Sequence, residues 1–233
     1  MAKKVFISAG HGGSDPGAVA NGLKEKDLNL VIALSCQDEL ARHGVLTKMS
    51  RTDDSETTWE DDVNGCNAFN PDLAVDIHNN AGGGDGAEAY HHHSGGTGKT
   101  LAVNILDEIV KIGQNSRGAK TRLGSSGKDY YYFIREIAAP SVIVECAFID
   151  NKNDIKIIDT KAEQVAMGVA IAKGILKTLG IAYKEPEAPV KPETTGKLYR
   201  VQVGAYAVKA NAEAMQKKLK ADGYDAIIVE VNR

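Results

Sequence analysis

Cysteine is scarce in this 233-residue chain. Cys36, Cys66 and Cys146 show no spacing that suggests a disulfide framework or a cysteine zinc knot. They read as small buried apolar residues of a protein made in a reducing compartment. No apolar run approaches the roughly 20 residues of a membrane span, so no membrane anchor is expected. The start, Met1-Ala-Lys-Lys, meets only Val5-Phe6-Ile7 before Ser8. That is too short for a secretory h-region, and the product is expected to begin in the cytoplasm without a signal peptide. A strong charge of one sign is also missing, since the net charge is −3. It is unevenly spread, however: residues 197–233 hold seven Lys/Arg against four Asp/Glu. A basic tail on an acidic body suits an anionic polymer, or is an ordinary solvated helix face. The tail has no arginine cluster, so nucleic acid is not expected as a partner.

Proline is scarce and unevenly spread. Three of the six in the chain fall at positions 186, 189 and 192, marking 181–196 as an extended, solvated linker. It separates a body, 1–180, from a tail, 197–233. Within the body, strand-like and helix-like patterns alternate. Strands are expected at Lys4–Gly10, Val45–Arg51, Asp72–His78, Gly86–His92, Asp129–Arg135 and Ser141–Ile149. Helices are expected at Glu25–His43, with Leu28, Ile32, Cys36 and Leu40 on one face, around Thr57–Phe69, and at Leu101–Ile112. The last helix opens on a capping box, Thr160-Lys-Ala-Glu163. Its expected apolar stripe is Val165, Val169, Ala172, Leu176 and Leu179. The pattern implies an α/β fold: an open, mostly parallel six-stranded sheet with helices on both faces, and sites at the carboxyl ends of its strands. The tail reads strand–helix–strand, a small β-α-β unit.

Two isolated histidines, His11 and His78, follow apolar runs where such strands end. Imidazole is the commonest zinc ligand. Glu25 opens the first helix next to the end of the first strand. Glu145 interrupts an otherwise apolar strand, Ser141-Val-Ile-Val-Glu-Cys-Ala-Phe-Ile149. A buried carboxylate there needs a metal, a base or a raised pKa. Two histidines and one glutamate form the ligand set of a catalytic zinc site with an open position, and a second carboxylate completes a hydrolase. His91-His92-His93 reads as a surface run, because strand alternation splits consecutive side chains between faces. Ala81–Gly86 reads as a mobile groove rim. Trp59 and Tyr130–Tyr132 suit either stacking on sugar or peptide, or core packing.

Four segments in order carry a resemblance. Ile7-Ser-Ala-Gly-His-Gly-Gly-Ser-Asp-Pro-Gly-Ala18 resembles the opening of the type 3 N-acetylmuramoyl-L-alanine amidases. Glu25-Lys-Asp-Leu-Asn-Leu30, Asp76-Ile-His-Asn-Asn-Ala81 and Val144-Glu-Cys-Ala-Phe-Ile-Asp-Asn151 are similar to their second, third and fourth motifs. The resemblance spans about residues 3–180 and implies a zinc enzyme that cleaves the amide between N-acetylmuramic acid and L-alanine. It makes His11, Glu25 and His78 the Zn2+ ligands and Glu145 the catalytic acid/base. The chain departs from the family at Asp76, where serine is usual, and Asp76 could orient a ligand. The competing readings are another zinc peptidoglycan hydrolase, cutting a peptide bond, and a non-catalytic wall-binding protein.

In the tail, Leu198-Tyr-Arg-Val-Gln-Val-Gly-Ala-Tyr206 and Leu219-Lys-Ala-Asp-Gly-Tyr224 resemble the first half of a SPOR repeat, a peptidoglycan-binding module. That family has two β-α-β halves in one sheet. A single half exposes an apolar face and strand edges, so a homodimer through residues 197–233 is expected, with peptidoglycan as the polymer bound. Without a leader, the enzyme is expected to reach the wall as a phage endolysin through a holin, or as an autolysin on lysis of a sporulating mother cell.

Overall fold

The structure, a computed structural model, describes residues 2–186, 202–221 and 224–231. Two compact units divide it, Met1–Glu185 and Pro186–Arg233. In the first, β1 (Lys4–Ala9) leads through a small hairpin, β2 (Val19–Ala20) and β3 (Leu23–Lys24), into α1 (Glu25–Arg42). There follow β4 (Leu46–Met49), α2 (Trp59–Phe69), β5 (Leu73–Asn80), β6 (Ala87–His91) and α3 (Gly96–Lys111). The unit closes with β7 (Ser116–Lys120), α4 (Tyr132–Glu136), β8 (Ser141–Phe148) and α5 (Lys161–Leu179). The sheet order is β4-β1-β5-β8-β6-β7. It is parallel except where β6 runs against β8. This is the open, mostly parallel six-stranded sheet expected.

Alternation along the strands sorts the two faces. Val5, Ile7, Val75, Ile77, Val142 and Val144 face α1, α3 and α5 in one large core. Phe6, Ala74 and Ile143 face the short helices α2 and α4 in a smaller one. Helix α5 packs against both α1 and α3, and two glycines permit the approach. A Cβ on Gly168 would lie 2.4 Å from the Ile32 carbonyl oxygen, and one on Gly174 would lie 2.5 Å from Ile105 Cα. The α5 stripe is therefore rotated from the one expected. Val165 is exposed, while Met167, Ala170, Ile171 and Ile175 are buried with Ala172 and Leu176. Contact with two helices rather than one selects the glycine-bearing face. The capping box at Thr160 and Glu163 forms as expected.

One strand is misplaced in the sequence reading. Asp129–Arg135 is not a strand; its second half begins the short helix α4, and β7 is the sixth strand. The run Tyr130-Tyr-Tyr-Phe-Ile134 has β-like composition. Phe133, Ile134 and Ile137, however, meet Val63 and Cys66 of α2 from a single turn. Strand β7, Ser-Arg-Gly-Ala-Lys, lies at the sheet edge and buries no residue. It carries no apolar period to read.

Residues 181–185, expected to begin the linker, belong to the first unit. Tyr183 stacks on His43 with ring centroids 5.0 Å apart, and Lys184 N–H donates to His43 Nε2 at 2.9 Å. The linker beyond Pro186 and the tail segment 197–201 lie outside the described residues. In the second unit α6 (Lys209–Ala221) forms where expected. Residues 202–206 and 224–231, expected as strands, show no ladder pairing among the described residues; an isolated strand has no partner for its N–H and C=O groups. No helix among the described residues is long and apolar enough to cross a membrane.

Candidate functional site

Helices α2 and α4 are short and cover only part of their sheet face. The remainder is lined by side chains alternating with the core: Ser8, Asp76, His78, Glu88 and Glu145. The parallel register sets His78 beside Glu145, and the antiparallel one sets Glu145 beside Glu88. Neighbouring residues on paired strands point to the same face. Three carboxylates and an imidazole thus share one open surface.

His11 reaches it from the β1–α1 connection and Glu25 from the first turn of α1. His11 has φ 62°, a left-handed backbone rare for a residue with a side chain, which turns its ring back toward Glu25. His11 Nε2 lies 3.2 Å from Glu25 Oε2, and His11 Nδ1 lies 2.7 Å from Asp15 Oδ2. His78 Nδ1 lies 2.9 Å from Glu25 Oε1, and its Nε2 lies 3.2 Å from Asp76 Oδ2. The His11 and His78 rings meet edge to face, with centroids 5.1 Å apart. The Glu25 carboxylate also accepts the backbone N–H groups of Ala18 at 2.9 Å and Asn79 at 3.1 Å.

Glycines make the approach possible. A Cβ on Gly10 would fall 2.2 Å from His78 Cε1. One on Gly17, at φ +62°, would fall 2.6 Å from both Glu25 Oε2 and His11 Cδ2. The loop 81–86, expected to be a mobile rim, is tied by Gly82 and Gly83 N–H groups, each 2.8 Å from Asp150 Oδ2.

The electrostatics are unequal. Burial pushes the Glu25 carboxyl up, but hydrogen bonds and charge from His11 and His78 outweigh it and hold it well below the usual range. Glu145 shows the reverse. Burial raises it, the charge of His78 opposes, and repulsion from Glu25, Asp76 and Glu88 adds, leaving it at about 7. Asp62 of α2 is raised to about 6 by burial and by Asp76, and accepts the Ser8 hydroxyl at 3.1 Å.

All four sequence candidates therefore come together. Ligand atoms of His11, Glu25 and His78 lie within 4.8 Å of one another. Asp76 Oδ1 is buried without a partner among the described residues. Two imidazoles within an excess of carboxylates suit a divalent cation, so the donor set fits a metal. Sequence reasoning missed Glu88. This buried carboxylate is held by Arg117 Nε at 2.7 Å, by Lys120 and by Tyr90 Oη at 3.0 Å. Its only sequence signal is a charged residue within a short apolar strand. Trp59 is exposed, whereas Tyr131 and Tyr132 pack on the smaller core.

Residues 5–177 match the family described as N-acetylmuramoyl-L-alanine amidase. The chain belongs to that family. Residues 170–230 match the SPOR domain. The sporulation-specific N-acetylmuramoyl-L-alanine amidase of Bacillus subtilis is 34% identical over 230 residues, spanning 97% of this chain and 84% of that protein. The endolysin of Bacillus phage SPP1 is 36% identical, spanning 95% and 86%. Among solved structures, Cwp6 from Clostridium difficile superposes with a TM-score of 0.76 at 38% identity, covering 77% of this chain and 30% of that one. The amidase AmiC2 of Nostoc punctiforme gives 0.69 at 30% identity, covering 76% and 97%. This amidase hydrolyses the bond between N-acetylmuramic acid and L-alanine in peptidoglycan, and its family and SPOR matches mark peptidoglycan as the polymer it binds. The family is generally metal-dependent.

Proposed function

We propose that the metal of this amidase is zinc, held by His11, Glu25 and His78, and that Glu145 is its catalytic acid/base. The observation that carries the reading is the convergence of those three side chains within 4.8 Å, beside the one carboxyl raised to about 7. When bound, zinc supplies a Lewis acid for an amide carbonyl and acidifies nearby water. Glu145 takes the proton from the attacking water and delivers it to the amine leaving on L-alanine. A carboxyl poised near neutrality can do both. Asp76, facing His78 Nε2 at 3.2 Å, steadies the ring and leaves Nδ1, the nitrogen that faces Glu25, for the metal. The uncovered sheet face leaves room for a long glycan strand.

Chelator-treated protein should stop releasing peptide stems from purified walls, as followed by mass spectrometry of the fragments, and should recover on adding zinc. The His78→Ala variant should not recover at any zinc concentration. Recovery of that variant to near the wild-type rate would remove His78 from the ligand set. Release in the cell through a holin or by lysis is part of the same proposal.

A second reading concerns assembly. Val203, Val208, Tyr224, Ile227, Ile228 and Val231 are all exposed. They are what one half of a SPOR-like sheet would bury against another. We propose that two tails pair, each supplying the missing half, through a two-fold contact. Light scattering should report about twice the chain mass for the whole protein. A fragment ending at Glu185 should be a monomer that sediments less with intact walls, because two linked binding modules raise avidity. A full-length monomer at micromolar concentration, or undiminished wall binding by the fragment, would end the idea.

A further inference from the structure

A second group of metal-type ligands lies away from the catalytic face. His92 and His93 follow the end of β6, and Asp129 sits in the connection between β7 and α4. Because β6 ends at His91, strand alternation does not separate the two rings, as the sequence reading supposed. Both turn onto one carboxylate oxygen. His92 Nε2 is 3.0 Å and His93 Nδ1 2.6 Å from Asp129 Oδ2, and ligand atoms of all three residues lie within 4.8 Å of one another. The Asp129 side chain is only 3% exposed, against 42% and 45% for the two histidines. A buried carboxylate therefore forms the floor and two imidazoles the solvent side.

The register separates this group from the catalytic one. Glu88 pairs with Glu145 and His91 with Val142, so β6 carries its C-terminal end away from the catalytic carboxylates. At roughly 3.4 Å per residue, His92 is about 14 Å along the strand from Glu88.

The surroundings suit coordination. The N–H of His93 donates to Asp129 Oδ1 at 3.0 Å, which fixes the carboxylate and leaves Oδ2 directed at the rings. His92 Nδ1 receives the Ser94 N–H at 3.2 Å and has the Ser94 hydroxyl at 2.7 Å. In this arrangement His92 Nε2 carries the proton that faces Asp129. A cation at Nε2 would move that proton to Nδ1, where the Ser94 hydroxyl oxygen would accept it in exchange for the Ser94 N–H bond. His93 would shift its proton to its other, outward nitrogen. Donor atoms around a tetrahedral zinc, with bonds of ~2.0–2.1 Å, are roughly 3.3 Å apart. The present triangle needs to open by about 0.7 Å at its tightest edge, the 2.6 Å between His93 Nδ1 and Asp129 Oδ2.

We propose that His92, His93 and Asp129 form a second metal site, for a borderline divalent transition metal such as zinc, with solvent completing the coordination. Two imidazoles and one carboxylate select that class over calcium or magnesium, which prefer all-oxygen shells. The ion would clip the end of β6 to the connection that leads into α4. Tyr131 of that connection already packs on Tyr90 of β6, with centroids 4.8 Å apart, and Arg135 Nη1 donates to the Asp129 carbonyl at 2.9 Å. The role is structural: it anchors the α4 side of the face on which substrate lies.

The test counts zinc bound to metal-stripped full-length protein, by equilibrium dialysis followed by elemental analysis. Four proteins are compared: the wild type, His78→Ala, the double variant His92→Ala with His93→Ala, and the triple variant. Expected zinc per chain is two, one, one and none. An Asp129→Asn variant, which keeps the side-chain shape, should match the double variant, and circular dichroism reports whether each chain is folded. A double variant that binds as much zinc as the wild type would overturn the proposal. A count of one, one, none and none would keep this site and overturn the catalytic assignment, so the two readings fail separately.

Discussion

Replacing Glu145 with glutamine should leave the metal and the fold in place and lower wall lysis by roughly 10²–10⁴-fold, the usual contribution of a positioned acid/base. Glutamine has nearly the same shape, so the strand between β5 and β6 keeps its packing. What is lost is the group beside His78 that can take a proton from water and return it to a leaving amine near neutrality. Stability should move the other way. The Glu145 carboxyl is at about 7 in the folded protein, against an ordinary 4.5. The unfolded chain therefore ionises first as pH rises. Metal-free wild type loses stability between about 4.5 and 7, and the loss levels off above. That is a penalty on the order of a few kcal/mol, which glutamine does not carry. Thermal melts of the metal-free proteins at pH 8 should show the variant at least as stable as the wild type. Near wild-type clearing of walls by Glu145→Gln would refute the assigned role.

Gly10→Ala should cost the enzyme both its catalytic metal and its activity. The added methyl carbon would lie 2.2 to 2.6 Å from three atoms of the His78 ring. The backbone cannot retreat. Gly10 N–H donates to the Ile77 carbonyl at 3.0 Å, and the Gly10 carbonyl accepts from Asn29 Nδ2 at 3.0 Å and Arg51 Nη2 at 3.3 Å. The ring must move instead, disturbing its contacts with Glu25 and Asp76. Zinc affinity at that site should fall by at least about 10–100-fold, the range for changes that disturb a ligand's support. Zinc titration of this variant, followed alongside lysis, checks the outcome. Affinity equal to the wild type would mean that the contact does not position His78.

The carboxylate of Glu145 in an apolar run, the histidines at strand ends and the glycine-rich segment around His11 are legible without coordinates. Each breaks a local pattern. The same holds for β1, β5 and β8, whose apolar runs are buried from both sides, and for the capping box of α5, which is satisfied within one turn. Local rules settle these because the forces behind them act between near neighbours, or on a strand enclosed on both faces. The tertiary structure alone decided the rest. It placed Asp76 against His78 and Glu88 across from Glu145, through a register that depends on which strands pair and in which direction. It made an edge strand of Ser116–Lys120, where backbone pairing needs no apolar side chains, and a helix of an aromatic run that α2 could bury only from a single turn. It turned α5 onto its glycines because two helices had to fit. It also brought Asp129 beneath His92 and His93 across 36 residues of chain. Convergence of that kind is a property of packing, and no period in the sequence encodes it.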